Sequence, residues 1–395
     1  MLQDILAVSL LSVWGSTLAE VNPDNQHEAV TAFSLDLFKE LARGEARNMV
    51  VSPVSVSAVL AMLAQGARGT TARALETALQ LDSSQAKEVY GGLAQHYQDF
   101  SSTNTTLEFA NRLFLKRSFS LDPAFKSTLV EMFLSGVDLV DFGNKEATDI
   151  VNDWVSKTTH GKIKTLVDEG LPPETVLLLA NAVYFQSPWE QPFPEHRSFD
   201  RGFFVGPEQQ VQVPFMIDER FHATTSSNDK LKARYVLLPF QGKRLSLLVV
   251  LPNEKTGLAD LTNELTVADV SEMIATDTTR GLRLLLPRFK LESKHELLEN
   301  LQQLGLQQLS ALPDLSGISA GGEALRVSRV LQKASIQIDE NGGVAAAATG
   351  LVAVPASAPV LDSFVADHPF LAMIVDHEMK IPLFISAVVD PSRTQ

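Results

Sequence analysis

Residues 340–368 read ENGGVAAAATGLVAVPASAPVLDSFVADH, and the architecture can be argued outward from this segment. Its middle is uncharged and has few large side chains, yet it lies between two strand-like runs, residues 325–338 and 370–374. Four consecutive alanines, Ala345, Ala346, Ala347 and Ala348, favour a helix. Gly342, Gly343 and Gly350 around them, and Pro355 and Pro359 after them, oppose a long one. A long loop without structure of its own between ordered segments is usually functional. Residues 340–367 are therefore expected to be an exposed working loop.

The rest of the chain mixes helices and strands without regular alternation, which predicts an α+β fold. Helical spacing places Phe33, Leu37, Phe38 and Leu41 on one face of residues 30–41. Ser52-Pro53 reads as a helix start, with Ser52 as cap and Pro53 at the first helical position. Further helices are expected over residues 72–79, 148–158 and, as an amphipathic element, 294–304. Residues 175–185 form a continuous apolar run and read as a buried strand. Other strands are expected at residues 106–115, 235–238, 245–251, 282–286 and 383–389. No linker or shift in composition divides the 395 residues, so one large unit is expected.

Composition excludes several functions. A net charge of -14 disfavours nucleic acid, anionic membranes and heparin as partners. Residues 80–100 hold one lysine, Lys87, and no arginine. With no cysteine there are no disulfides, thiolate metal sites or cysteine nucleophiles. Glycine-rich phosphate loops and nucleophile-elbow motifs are absent, and His295-Glu296 lacks the second histidine of a zinc-protease motif, with Glu299 in its place. Asp367-His368 and Asp376-His377 read as structural hydrogen-bonded pairs. No metal or cofactor is expected, nor an enzyme. Residues 5–19, ILAVSLLSVWGSTLA, are short and apolar and end in Thr17-Leu18-Ala19, as in a secretory signal peptide cut before Glu20, although Asp4 departs from the usual basic start. Secretion is expected, with a mature chain of residues 20–395. Asn104-Thr105-Thr106 is the one glycosylation sequon.

Short landmarks occur in a specific order: Asn48-Met49-Val50-Val51-Ser52-Pro53-Val54-Ser55, Asn111-Arg112-Leu113-Phe114, Leu179-Ala180-Asn181-Ala182-Val183-Tyr184-Phe185 before Trp189, Leu286-Pro287-Arg288-Phe289 and Ala366-Asp367-His368-Pro369-Phe370-Leu371. In this order and over the whole mature length, the chain resembles a serpin. The resemblance implies a single domain with three β-sheets, eight or nine helices and an exposed reactive-centre loop. It also implies a suicide-substrate inhibitor, whose loop is attacked by a serine protease to give a 1:1 covalent acyl-enzyme. The cut loop then inserts as a new strand in the large sheet, carrying the protease with it. A monomer is implied.

The hinge of that loop would be Glu340, Gly342, Gly343, Val344, Ala345, Ala346, Ala347, Ala348 and Thr349. An inserted strand drops alternate side chains into an existing core, where small uncharged residues fit. Gly343 and Val344 depart from the usual residues of inhibitory members, and Gln332 stands where many members have histidine. Asn48, Ser52, Asn181 and Gln332 are expected to form the polar cluster where the sheet opens. Counting along the loop as in the family puts the scissile bond between Ala356 and Ser357, after Val354 and Pro355. A small residue there suits the small specificity pocket of an elastase. The alternative positions for cleavage are Val354 and Leu361, and Leu361 would suit a chymotrypsin-like enzyme. The competing expectation is a non-inhibitory carrier, chaperone or storage protein on the same fold.

Overall fold

The computed structural model describes residues 23–44, 46–98, 100, 105–319, 321, 324–342 and 362–394. The expected signal peptide, Asn104 and loop residues 343–361 lie outside them. The first half of the chain holds α1 (Pro23–Leu41), β1 (Met49–Val51), α2 (Pro53–Gly66), α3 (Gly69–Leu79), α4 (Ser83–Gln98), β2 (Thr106–Lys116), α5 (Pro123–Phe133), β3 (Gly136–Val140), α6 (Lys145–Thr158) and β4 (Leu177–Gln186). The second half holds β5 (Phe199–Phe204), β6 (Gln210–Asn228), β7 (Ala233–Pro239), β8 (Leu245–Pro252), α7 (Leu258–Glu264), α8 (Val267–Ala275), β9 (Thr279–Pro287), β10 (Phe289–Glu296), α9 (Leu298–Leu301), β11 (Val327–Ile338), β12 (Ser363–Val365), β13 (Phe370–Asp376) and β14 (Ile381–Val388).

Hydrogen bonds join these strands into two networks. One is a five-stranded sheet in the order β10-β11-β4-β2-β3. The other has nine strands, and β6 and β9 hold it together. The first part of β6 pairs with β5, and its end pairs with β7. Between them the β6–β9 register shifts at a bulge between Asp218 and Phe221. A bulge bends and twists a strand, and this one marks where the third expected sheet (β5, β12 and the adjoining parts of β6 and β9) passes into the second.

At the centre of the five-stranded sheet β4 is buried on both faces, which explains its unbroken apolar run. Leu177, Leu179, Val183 and Phe185 face the main core. Leu178, Ala180, Ala182 and Tyr184 face a smaller core, with Val151 and Val155 of α6 and with Leu331 of β11. Asn152 secures the chain after α6, accepting from the amides of Leu166 and Val167 at 2.8 and 3.0 Å.

Two local expectations fail. Residues 294–296 belong to β10, because FKLESKHE alternates with period two and buries Phe289, Leu291, Ser293 and His295. The helix is confined to Leu298–Leu301, and a wider turn ends it at Gly305, whose φ is +94°. Ser52 precedes α2 but does not cap it; its hydroxyl donates to the carbonyl of Leu383 at 2.7 Å. A side-chain cap does start α5, where Asp122 accepts from the amides of Ala124 and Phe125 at 2.8 and 2.9 Å, and Pro123 follows at the first position. Asp122→Ala should therefore lower stability by about 1 kcal/mol, read as a lower urea midpoint. An unchanged midpoint would contradict the cap.

Candidate functional site: a parallel seam and its hinge

β4 and β11 run parallel at the centre of the five-stranded sheet, with Asn181 beside Gln332. Gln332 is fully buried. Its side-chain oxygen accepts from the Ser52 amide at 3.0 Å, and its nitrogen donates to the Ser52 carbonyl at 2.9 Å and to Asn181 Oδ1 at 2.5 Å. Asn181 in turn donates to Ser55 and to Asn111 on β2, and Ser55 donates to Asn111 at 3.0 Å. One amide thus ties both strands of the seam to the start of α2. Three of the four sequence-predicted cluster residues meet here.

Asn48 does not join them. Its oxygen accepts from the amides of Val389 and Asp390, both at 2.8 Å, and its nitrogen donates to the carbonyls of Asp390 and Arg393 at 2.7 and 3.1 Å. It fastens the segment after β14 to β1. Ser55 and Asn111 were visible only as landmarks, because nothing local in the sequence shows that positions 55, 111 and 181 converge.

Glutamine at the seam cannot titrate near neutral pH. The titratable group alongside is His295, opposite Gln332 on β10. Its Nε2 lies 2.9 Å from the Val50 carbonyl. Burial pushes its pKa down, more than that hydrogen bond raises it.

Beyond β11 the chain turns sharply. The Gly342 amide donates to the Asp339 carbonyl at 3.0 Å, with φ of +87° at Gly342. A Cβ at Gly342 would meet the Ser187 carbonyl oxygen at 2.3 Å and the Trp189 nitrogen at 2.7 Å. Only glycine fits a turn this close to the chain leaving β4. That chain also fastens the turn: Trp189 donates its indole N–H to the Asp339 carbonyl at 2.8 Å, and the Phe193 amide donates to the Glu340 carbonyl at 2.9 Å. Trp189 itself stacks on Phe240, with ring centres 4.5 Å apart.

Glu340 is buried, and Arg288 and Ser198 donate to its carboxylate at 2.5 and 2.6 Å. Burial opposes the charge, but these two hydrogen bonds prevail and hold the carboxyl below its usual range. A depressed pKa stabilises the folded state fully above the ordinary carboxylate range, and the contribution is lost as pH falls through the lowered value. The sequence reading picked out Glu340 but missed Arg288 and Ser198 as partners, since they lie 52 and 142 positions away. The other named hinge, specificity and scissile residues, Gly343, Val344, Ala345, Ala346, Ala347, Ala348, Thr349, Val354, Pro355, Ala356 and Ser357, lie outside the described residues.

The acid–histidine pairs have structural partners. His368 bonds Asp367 at 3.0 Å and the Pro252 carbonyl at 2.7 Å. Asp376 accepts from Tyr97 at 2.9 Å and from Arg244 at 3.0 Å, and His377 bonds Ser246 at 2.8 Å.

A model of the family described as serpin (serine protease inhibitor) matches residues 28–391. Iripin-2 of Ixodes ricinus is 36% identical over 378 residues, covering 92% of each chain. A leukocyte elastase inhibitor of Bos taurus is 35% identical over 376 residues, covering 92% of this chain and 98% of its own. The crystal structure of Manduca sexta serpin-12 superposes with a TM-score of 0.84 at 30% identity, covering 93% of this chain and 99% of that one.

Gln332→Leu would leave the Ser52 amide and the Asn181 Oδ1 buried without the partner each has in Gln332. Each such loss costs about 1–3 kcal/mol, so its urea midpoint should fall well below that of the parent. A midpoint within error of the parent would show that the seam does not depend on this amide.

Proposed function

The chain belongs to the serpin family, a family of protease inhibitors and not of enzymes, and on that premise we propose that it is a secreted suicide-substrate inhibitor of elastase-like serine proteases. The observation that carries this reading is the parallel seam ending in the Gly342 turn. A strand that follows this reversal and enters between β11 and β4 runs antiparallel to both. It replaces one parallel pairing by two antiparallel ones, which are slightly more stable per residue.

The residues after Gly342 suit that movement. Entering between the strands, they must turn one set of side chains to the main core and the other to the smaller core under α6. Ala345, Ala346, Ala347, Ala348 and Thr349 present no charge and little bulk to either. Gly343 adds conformational entropy and packs nothing, so it slows insertion rather than blocking it.

In the chemistry proposed, the protease serine oxygen bonds to the Ala356 carbonyl carbon and the Ala356–Ser357 amide bond breaks. The proton taken from the serine passes to the Ser357 nitrogen, which leaves as a new amino terminus. The ester left on Ala356 is what insertion traps. Ala356 supports an elastase-like target because its side chain fills a small pocket, and no Arg or Lys occurs in residues 340–367 to pair with a trypsin-type aspartate. The resemblance to a leukocyte elastase inhibitor points the same way. Export rests on residues 1–19.

The test is to mix the protein with an elastase and separate the products by denaturing electrophoresis. The expected result is a band at the summed mass less the released C-terminal peptide, with Ser357 first in that peptide by mass spectrometry. Ala356→Arg should shift complex formation from elastase to trypsin. Cleavage without a surviving complex in the parent would favour a non-inhibitory role, and an Arg variant that still ignores trypsin would move the scissile bond elsewhere.

A further inference from the structure

The segment between α6 and β4, residues 159–176, lies on the face of the five-stranded sheet that carries the smaller core. It is fastened firmly on one side of the seam. Trp154 of α6 packs edge-on against Phe114 of β2, with ring centres 5.5 Å apart. His160 Nδ1 lies 3.2 Å from the Glu108 carboxylate of β2. Lys162 donates to Gln186 of β4 at 3.2 Å and sits over the Tyr184 ring.

Farther along, the same segment crosses to the other side. Asn152 holds Leu166 and Val167 to α6, and both belong to the core that includes Leu331 of β11. Asp168 follows directly, and Lys294 of β10 donates to it at 2.5 Å. Lys294 stands opposite Lys333 of β11, which is itself paired with Glu292 at 2.9 Å. The Lys294 hydrogen bond holds the Asp168 carboxyl below its usual range, and the charge of Lys333 adds to the pull. From Glu108 to Lys294 the segment thus bridges β2, β4, β11 and β10.

The contacts on the two sides of the seam differ in kind. Those on β2 and β4 combine aromatic packing, a cation over a ring and polar pairs. Those beyond the seam are apolar packing on Leu331 and the Asp168–Lys294 pair. Apolar contact is non-directional and can slide, whereas an ion pair holds two atoms at one place. A strand that enters between β4 and β11 moves β10 away by one strand spacing, about 4.8 Å. That is nearly twice the length of the Asp168–Lys294 contact, so the pair opens.

We propose that the Asp168–Lys294 pair is a latch that holds this segment shut over the seam, and that its opening helps set the rate at which a strand enters. Asp168 is a positioning residue, acting through the segment it ties down. The latch matters only if a strand does enter, so it rests on the insertion reading. The Asp168 side chain is 64% exposed, and an ion pair so exposed changes a rate by no more than about fivefold.

The probe is a synthetic peptide with the sequence of residues 343–356, GVAAAATGLVAVPA, incubated in excess with the full uncleaved chain. Uptake is read as the rate at which a form with a raised thermal midpoint appears. The parent should take up the peptide, and Asp168→Asn should do so about twofold to fivefold faster. Asp168→Lys sets a third cation beside Lys294 and Lys333 and should be faster still. Adding Lys294→Asp to it should return the rate to near the parent value. High salt should narrow the gap between the parent and Asp168→Asn, because exposed pairs are screened. Asp149→Asn removes an exposed ion pair that lies wholly within α6, with Lys145, and should leave the rate as it is. Uptake by the parent with equal rates in Asp168→Asn and Asp168→Lys overturns the latch and leaves insertion standing. Acceleration that Lys294→Asp does not reverse makes Asp168 merely structural and also overturns the latch. No uptake by the parent overturns the insertion reading, and the latch with it.

Discussion

Two strands held side by side in the same direction, with one buried amide clasping both, set the terms for the rest of this molecule. Gln332 on β11 bonds Asn181 on β4 and both backbone groups of Ser52. Every one of these groups is buried, so the clasp cannot loosen by half without leaving polar atoms unpaired. Yet it closes the less stable type of strand pairing. A seam that is locally well satisfied but globally replaceable can stay shut for long periods and still yield to a competing strand.

The surroundings serve that balance. At one end the chain leaving β4 grips the chain leaving β11 through Trp189 and Phe193, and Arg288 and Ser198 hold the Glu340 carboxylate. These contacts fix where the reversal at Gly342 begins. On the face away from the main core, α6 and the segment pinned by Asn152 cover the seam and pack on Leu331. An entering strand, in the mechanism proposed, has to slide beneath that cover, which is why small side chains after the hinge matter on both faces.

Much of this was legible beforehand, for identifiable reasons. The apolar run of β4 reads as a doubly buried strand because both of its faces are in fact covered. Gly342 was legible as opposing a helix and as a residue of the hinge, and the folded chain gives it a turn with φ of +87°. Residues 294–296 misled because leucines three and four apart further on resemble a helical face, while FKLESKHE itself alternates as a strand. Ser52 looked like a cap from its place before Pro53, but a carbonyl on β14 offered its hydroxyl a better partner. The Arg288–Glu340 pair and the separation of Asn48 from the cluster were hidden because both depend on residues brought together only by the folded chain.

The most direct measurement of the central claim is the thermal unfolding midpoint before and after a non-target protease nicks the chain once within residues 343–361, with both fragments retained. Release of the loop should let it enter between β4 and β11, so the midpoint should rise by well over the few degrees that correspond to about 1 kcal/mol in a protein of this size. A midpoint that stays the same or falls after cleavage would mean that the seam does not admit the strand, and the insertion account would be wrong.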